Sequence, residues 1–248
     1  MEVGELWTPL ALALIALAGS LLFGLTGFGS ALITIPLATH FVPLPFALAL
    51  FSLVDLANAL RIGLENPKNA LRGEWTRLVP MIVVGTLLGV TLLVNLPRSL
   101  GMLALGMFVA GYALYSLAQR GEPRAVIARG WAWLAGFAGG ITSTLFGAGG
   151  PPYAIYLSRR GLTKEQFRAT LGFATMTSIS LRVLAFVATG LLLDAQVWLA
   201  ALVALPAAWI GLSVARHAYL RISRQALMRA VALVLLATGS SLVARALS

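Results

Sequence analysis

The sequence contains no cysteine among its 248 residues, and only 10% of them are charged. Without cysteine the chain has no disulfides, no thiolate metal sites and no thiol chemistry. A soluble domain carries roughly 25% charged residues, so this chain has too few to cover a normal water-facing surface. Because 59% of the residues are hydrophobic, a soluble enzyme, a disordered chain and a secreted disulfide scaffold are excluded. The composition predicts an integral membrane protein.

Signatures of catalysis, metal binding and ATP hydrolysis are also missing. The sequence has no Walker motif, and residues 27–31 lack the final glycine of a nucleophile elbow. His40 and His217 are single and form no metal-ligand pattern. We therefore expect no enzyme, no cofactor and no metal site, and no ATP-driven transport through this chain alone.

Long uncharged runs are abundant, and the alternating pattern of a membrane β-barrel is absent. The runs cover residues 6–54, 78–97, 99–119, 130–158 and 195–215. A membrane-spanning helix needs about 20 apolar residues, so these runs predict an all-α, polytopic helical membrane protein. The net charge of +10 comes from basic residues between the runs. That position favours cytoplasmic loops beside the lipid bilayer over nucleic-acid binding.

Two glycine-rich breaks suggest that the chain is a duplication with halves 1–121 and 122–248. Four matches occur in the same order at offsets that grow from 120 to 128: Gly27 with Gly147, Arg61 with Arg182, Gly85 with Gly211, and Gly111 with Gly239. Each half predicts one Gly-broken segment and three transmembrane helices. The predicted segments are 6–41, 43–63, 75–95 and 98–117, then 131–157, 163–191, 195–215 and 224–246.

The distribution of basic residues predicts how these segments cross the bilayer. If each broken segment enters and returns, 14 Lys and Arg residues of loops 66–77, 120–129, 159–168 and 216–229 share one side, and Arg98 and Arg245 lie on the other. The positive-inside rule favours this arrangement over a single crossing. Segment 6–41 would also form about 54 Å of helix, against about 30 Å of hydrocarbon core. The second repeat is then inverted relative to the first, with cytoplasmic basic loops and both termini periplasmic.

The duplicated breaks are the predicted binding site. Non-helical backbone survives in lipid only when it is buried in protein or lines a cavity. The helix that begins after each break has free N–H groups and a positive dipole end that favour an anion. Tight packing through small residues is the alternative explanation. The predicted substrate-binding residues of the breaks are Gly27, Phe28, Gly29, Ser30, Gly147, Ala148, Gly149 and Gly150.

Polar residues inside the predicted helices are further candidates. Arg182 lies deep in segment 163–191, where a charged residue indicates function. It is expected either to contact an anionic substrate or to pair with Asp55, and Asp55 either carries a coupling proton or neutralises Arg182. Arg61 lies nearer a helix end, where snorkelling to the interface is favoured. Asn58, Thr177 and Ser178 are expected to line a pathway, with bonding to the helix backbone as the alternative.

These motifs resemble the sulfite exporter TauE/SafE family, also described as the sulfonate uptake permease family. The resemblance rests on residues 24–30 with Pro36, on residues 145–151, and on residues 161–170, and the layout of two halves extends it over essentially the whole chain. It implies a carrier of small sulfur-containing anions, such as sulfite or organosulfonates, in the bacterial inner membrane.

The sequence therefore predicts a secondary transporter of a small anion that works by alternating access, because inverted repeats with broken helices are typical of such carriers. A passive anion channel, a carrier of small carboxylates and a non-transporting membrane component are the alternatives. A coupling proton or sodium ion and a homo-oligomer are both compatible with the sequence.

Overall fold

The computed structural model describes residues 3–65, 67–118, 126–218 and 224–247, and within these ranges the regular structure is helical, with no strand. These ranges contain ten α-helices, which are α1 (Val3–Thr26), α2 (Ser30–Ala38), α3 (Leu44–Gly63), α4 (Arg72–Asn95), α5 (Arg98–Ala118), α6 (Trp131–Phe146), α7 (Gly150–Ser158), α8 (Lys164–Ala188), α9 (Ala195–Ala218) and α10 (Arg224–Leu247). The short helix Pro67–Asn69 lies between α3 and α4.

Several helix boundaries follow from local sequence signals. Before α8, the Thr163 hydroxyl accepts the N–H of Gln166, and the Gln166 side chain accepts the N–H of Thr163, each at 3.2 Å. This reciprocal capping box satisfies two N–H groups that the first helical turn leaves free. Pro43 is the N-cap of α3 and Pro45 lies in its first turn, where a missing N–H costs nothing. The sequence prediction of both helix starts is confirmed.

Among the residues that the structure describes, six helices are long and apolar enough to cross a membrane: Trp7–Thr26, Leu44–Gly63, Arg72–Asn95, Ser99–Ala118, Lys164–Ala188 and Ala195–Ala215. The side chains described in α10 include a shorter apolar stretch, Ala232–Ala244. With only 16 residues, α6 is shorter than these spans. The chain is therefore an all-α, multi-pass membrane protein.

Both Gly-broken segments turn back on themselves. A Cβ atom added at Gly19 would collide with the Thr34 side chain, and one added at Gly139 would collide with the Tyr153 ring. In a straight helix, residues that far apart in sequence would be separated by about 20 Å. The returning arms α2 and α7 have nine residues each. That is about 14 Å of helix, so each arm reaches only part of the way across a bilayer.

The helices pack in pairs that join the first five helices to the last five. The most extensive contacts are those of α4 with α6, α1 with α9 and α5 with α10, and α3 packs on α8. Small residues allow the backbones to approach closely: a Cβ at Gly140 would lie 2.5 Å from the Ile82 carbonyl, and one at Gly106 would lie 3.0 Å from the Gly239 carbonyl. Such close approach is the usual basis of helix association in lipid.

Three of the predicted basic loops meet at one end of the bundle. The Ile127 N–H donates to the Arg159 carbonyl at 3.1 Å, and the Leu71 N–H donates to the Thr170 hydroxyl at 3.0 Å. Arg61, near the end of α3, donates to Ser213 of α9 at 3.4 Å, so the end of α9 lies there too. The predicted loop residues Arg120, Arg124 and Arg221, and the predicted boundary between residues 121 and 122, lie outside the described residues.

The carboxylate of Glu74 connects these loops through hydrogen bonds and ion pairs. Glu74 of α4 accepts hydrogen bonds from Arg160 at 3.0 Å and from the Tyr156 hydroxyl at 2.5 Å. Arg77 and Arg129 each lie 3.8 Å from the same carboxylate. The hydrogen bond to Glu74 raises the pKa of Arg160 above its ordinary value. Glu74 therefore connects α4 to the segments on either side of the α6–α7 hairpin.

We predict that Gly147→Ala destabilises the protein more than Gly27→Ala. Both glycines have left-handed φ, +72° and +82°, which costs another residue about 1–2 kcal/mol. Only at Gly147 would the new Cβ also meet a neighbour, at 2.7 Å from the Ala31 Cβ. Melting temperatures in detergent measure the difference.

Gly111→Ala is the control for these variants, because a Cβ at this helical position of α5 meets nothing within 4 Å. Its melting temperature should equal or exceed that of the wild type, since alanine is the better helix former. Equal melting temperatures for Gly147→Ala and Gly111→Ala would contradict the close approach at Gly147.

Candidate functional site

The two glycine breaks contact each other inside the helix bundle. A Cβ at Gly150 would lie 2.6 Å from the Phe28 Cβ, and a Cβ at Gly147 would lie 2.7 Å from the Ala31 Cβ. The first turn of α2 therefore lies against the second break, and the first break lies against the start of α7. The breaks are 120 residues apart in sequence, and the fold brings them together.

The glycines of the two breaks have different tasks. Gly27, Gly29 and Gly147 have positive φ, a conformation that favours glycine, but Gly149 has an ordinary φ of −74°. Gly149 is instead required by close packing. A Cβ there would lie 2.8 Å from the Gly139 carbonyl and 3.1 Å from the Ser178 hydroxyl. Gly150, in the first turn of α7, is likewise required by close packing, here against Phe28, and not by a positive φ.

A small pocket lies where the breaks meet. Its polar walls carry one carboxylate and several hydroxyl groups. The lining residues are Phe23, Phe28, Gly29, Ser30, Asp55, Ser143, Gly147, Ala148, Gly149, Gly150, Tyr153, Thr175, Ser178 and Ile179. Of the residues predicted for the breaks, Gly27 is the one that is not part of this wall.

Arg182 and Asp55 form an ion pair behind this wall. The Arg182 Nη2 atom lies 2.9 Å from the Asp55 Oδ2 atom, and each residue is 1% exposed. Arg182 also donates to the Ser143 carbonyl at 3.0 Å, just before the second break. The other Asp55 oxygen accepts the hydroxyl of Ser30, the first residue of α2. The pair therefore joins α3 and α8 to both breaks, and Asp55 is one of the two partners that we predicted for Arg182.

Two buried polar atoms in this region have no hydrogen-bond partner among the described residues. One is the Ser143 hydroxyl, which lines the pocket, and the other is the Nε atom of Arg182. Ser143 is 1% exposed. A buried polar group without a partner costs about 1–3 kcal/mol, so these atoms are candidates for contact with a bound molecule.

Three predicted site residues have structural partners outside the pocket wall. Asn58 donates to Ser20 of α1 at 2.8 Å, and Thr177 accepts the indole N–H of Trp75 at 3.0 Å. Arg61 lies 4.0 Å over the ring of Trp209. By contrast, Ser178 lines the pocket and accepts the Tyr153 hydroxyl at 3.0 Å.

Sequence reasoning missed Ser143 and Tyr153. Ser143 stands between two threonines in the last turns of α6, and Tyr153 follows the two prolines after the second break. Both lie within a few residues of a predicted glycine break, which is the signal that was available. The same prolines, Pro151 and Pro152, have no N–H, so the start of α7 offers fewer backbone donors than the start of α2.

Comparison with known proteins identifies the family of this chain. The family model of the sulfite exporter TauE/SafE matches residues 11–242, nearly the whole chain. The chain belongs to the sulfite exporter TauE/SafE family. It is therefore a membrane transporter rather than an enzyme.

One curated relative is a probable inner membrane transporter protein, TsaS, from Comamonas testosteroni. It is 28% identical over 166 residues, which cover 66% of this chain and 69% of the relative. No solved structure matches the chain.

We predict that Arg182→Gln and Asp55→Asn each destabilise the protein by about 3–5 kcal/mol, because each leaves the other charge buried without its partner. The double variant removes both charges, so its loss should be clearly smaller than the sum of the two single losses. Melting temperatures of the four proteins in detergent form the double-mutant cycle. Additive losses would show that the two side chains do not interact.

Proposed function

We propose that this protein is a secondary transporter of a small anion, either sulfite or an organosulfonate, in the bacterial inner membrane. The observation that supports it is the pocket at which both glycine breaks meet, beside a buried arginine. Its family agrees with transport, and the name of its relative agrees with that membrane.

The chemistry of the pocket suits an oxyanion. The hydroxyl groups of Ser143, Tyr153 and Ser178 surround it, and the backbone at the start of α2 adds N–H groups with a positive dipole end. Sulfite and sulfonate groups present several oxygen acceptors at short spacing, which match several converging donors. The unpartnered Ser143 hydroxyl is a donor ready for such an oxygen. We assign the anion to this pocket, with Arg182 supplying positive charge from behind it.

Alternating access is the proposed mechanism, and matched helix contacts support the two inverted repeats that it needs. The contact of α4 with α6 has its counterpart in the contact of α9 with α1, and α1 with α2 corresponds to α6 with α7. Equivalent helices of the halves 1–121 and 122–248 thus exchange partners. Two similar bodies that share one central site can rock against each other around it.

We propose cytoplasmic basic loops and periplasmic termini, following the positive-inside rule. A chain without cysteine allows a direct test. Lys68→Cys lies in the short helix Pro67–Asn69, and Asp194→Cys lies on the loop between α8 and α9; both positions are exposed. A membrane-impermeant maleimide should label Asp194→Cys in intact spheroplasts and Lys68→Cys only after permeabilisation. The reverse pattern would overturn the proposed orientation.

We predict substrate-stimulated counterflow in proteoliposomes. Separate batches of vesicles are loaded with sulfite, sulfate, methanesulfonate, sulfoacetate, taurine, acetate or lactate. Each batch is diluted into a trace of the same compound that carries a label. Sulfur oxyanions inside should accelerate uptake of the label, whereas acetate and lactate should not. Stimulation by the carboxylates alone would replace the proposed substrate class, and uptake without any stimulation would favour a passive channel.

Hydroxyl removal tests whether the pocket binds the anion. Ser143→Ala and Ser178→Ala should each raise the apparent KM for the transported anion about 10–150-fold, since each deletes a hydrogen bond to a charged ligand worth about 1.5–3 kcal/mol. Thr91→Ala is the matched control, because its hydroxyl donates to the Leu87 carbonyl on an exposed helix face. Unchanged KM in both pocket variants would place the site elsewhere.

A further inference from the structure

Asp55 occupies the position in which the proposed anion would be best stabilised. One carboxylate oxygen accepts the hydroxyl of Ser30 at the start of α2, and the other accepts Arg182 at 2.9 Å. Asp55 also lines the pocket, whereas Arg182 does not. The internal carboxylate thus stands between the pocket and the arginine. It accepts hydrogen bonds from the same donors that a substrate oxyanion would use.

The charge of this region does not tolerate an additional anion. Asp55 and Arg182 neutralise each other, and both are almost completely buried. A substrate anion entering the pocket would leave a net negative charge in a low-dielectric interior, next to an existing carboxylate. A substrate anion beside the Asp55 carboxylate would strongly disfavour the ionised form of that carboxylate. An uncompensated buried charge also costs several kcal/mol. The least costly compensation is a proton on the carboxylate.

We propose that this transporter is a proton–anion symporter in which the substrate and Asp55 exchange places on Arg182. This rests on the function proposed above. The anion takes over the contacts with Arg182 and Ser30, and the Asp55 carboxylate takes one proton from the aqueous phase. After access alternates, the anion leaves, the carboxylic acid gives its proton to the water on that side, and Asp55 pairs with Arg182 again.

The neighbours of Asp55 are consistent with this exchange. The elements packed against α3 are α1, α2, α8 and α9. Among their described side chains, Arg182 of α8 is the charged group that contacts Asp55, and the Tyr153 hydroxyl of α7 is the other titratable group in the pocket. Arg61 of α3 is engaged at the end of its helix with Trp209 and Ser213. No second carboxylate is described in the pocket to share the proton.

A proton fits this site better than a sodium ion. Sodium requires several oxygen atoms around it, and both Asp55 oxygens already accept hydrogen bonds. The guanidinium 2.9 Å away would repel any metal cation at the same carboxylate. A proton on Asp55 needs no such cage, and it releases Arg182 for the anion.

Wild-type protein gives the decisive measurement. Proteoliposomes contain a trapped pH dye, and valinomycin with equal potassium on both sides holds the voltage at zero. Methanesulfonate is added outside, or sulfate if methanesulfonate is not carried, because both stay fully ionised near neutral pH. The lumen should acidify as the anion enters, with one proton taken up for each anion. Potassium carries any charge that this proton leaves uncompensated. Anion uptake without acidification would overturn the symport while leaving anion transport intact.

A second measurement uses binding rather than flux. Calorimetric titration of purified protein with the same anion, in two buffers of different ionisation enthalpy, reports the protons taken up on binding. We expect close to one proton per bound anion. Binding with no proton uptake would overturn the exchange. If no anion of the counterflow panel enters or binds, the proposed function itself fails, and the symport fails with it.

Asp55→Asn identifies the group that carries the proton. If the variant is recovered folded, its anion-linked acidification should be lost. Asp194→Asn is the matched control, because this exposed carboxylate accepts only a local backbone N–H and lies outside the pocket. It should acidify the lumen as the wild type does. Acidification that persists in Asp55→Asn would overturn the assignment to Asp55.

Discussion

The buried ion pair between Arg182 and Asp55 is the interaction on which the centre of this protein depends. It joins α3 to α8, and its remaining hydrogen bonds hold Ser30 at the first break and the Ser143 carbonyl before the second. Two desolvated charges gain little stability compared with apolar residues of the same size. The pair instead fixes the positions of both broken segments, because each segment is hydrogen-bonded to it inside the bundle.

Glycine makes that position attainable. The two hairpins approach so closely that a side chain at Gly147, Gly149 or Gly150 would meet the opposite break or its neighbouring helix. Irregular backbone within a membrane must be enclosed by protein. Here the breaks pack against each other and against neighbouring helices, and the space left where they meet is a small polar pocket. The same contacts therefore satisfy the packing requirement of the breaks and create the candidate binding site.

Much of the fold followed from the sequence, because its signals are local or set by the solvent. Apolar length predicted the spans, including the segment that begins at residue 163, and the glycine breaks predicted two interrupted segments. The site was only partly predictable. Whether Arg182 meets a substrate or Asp55 depends on how α3 packs against α8, and Ser143 and Tyr153 gain their roles from a contact between distant segments. Helical spacing alone carries no information about those contacts.

The strengths of the two ionic clusters differ in a way that suits the proposed alternating access. At the end of the bundle, Glu74 links α4 to Arg160 and Arg129. Its pairs with Arg129 and Arg77 are long, at 3.8 Å, and partly open to water, whereas Arg160 and Glu74 are both largely buried. Ion pairs of the exposed kind contribute about 0–1 kcal/mol each, so a rocking motion can open those two at small cost. The central pair loses several kcal/mol if it separates without replacement. A bound anion and a proton provide that replacement together, which would make opening of the centre conditional on cargo while the end contacts follow.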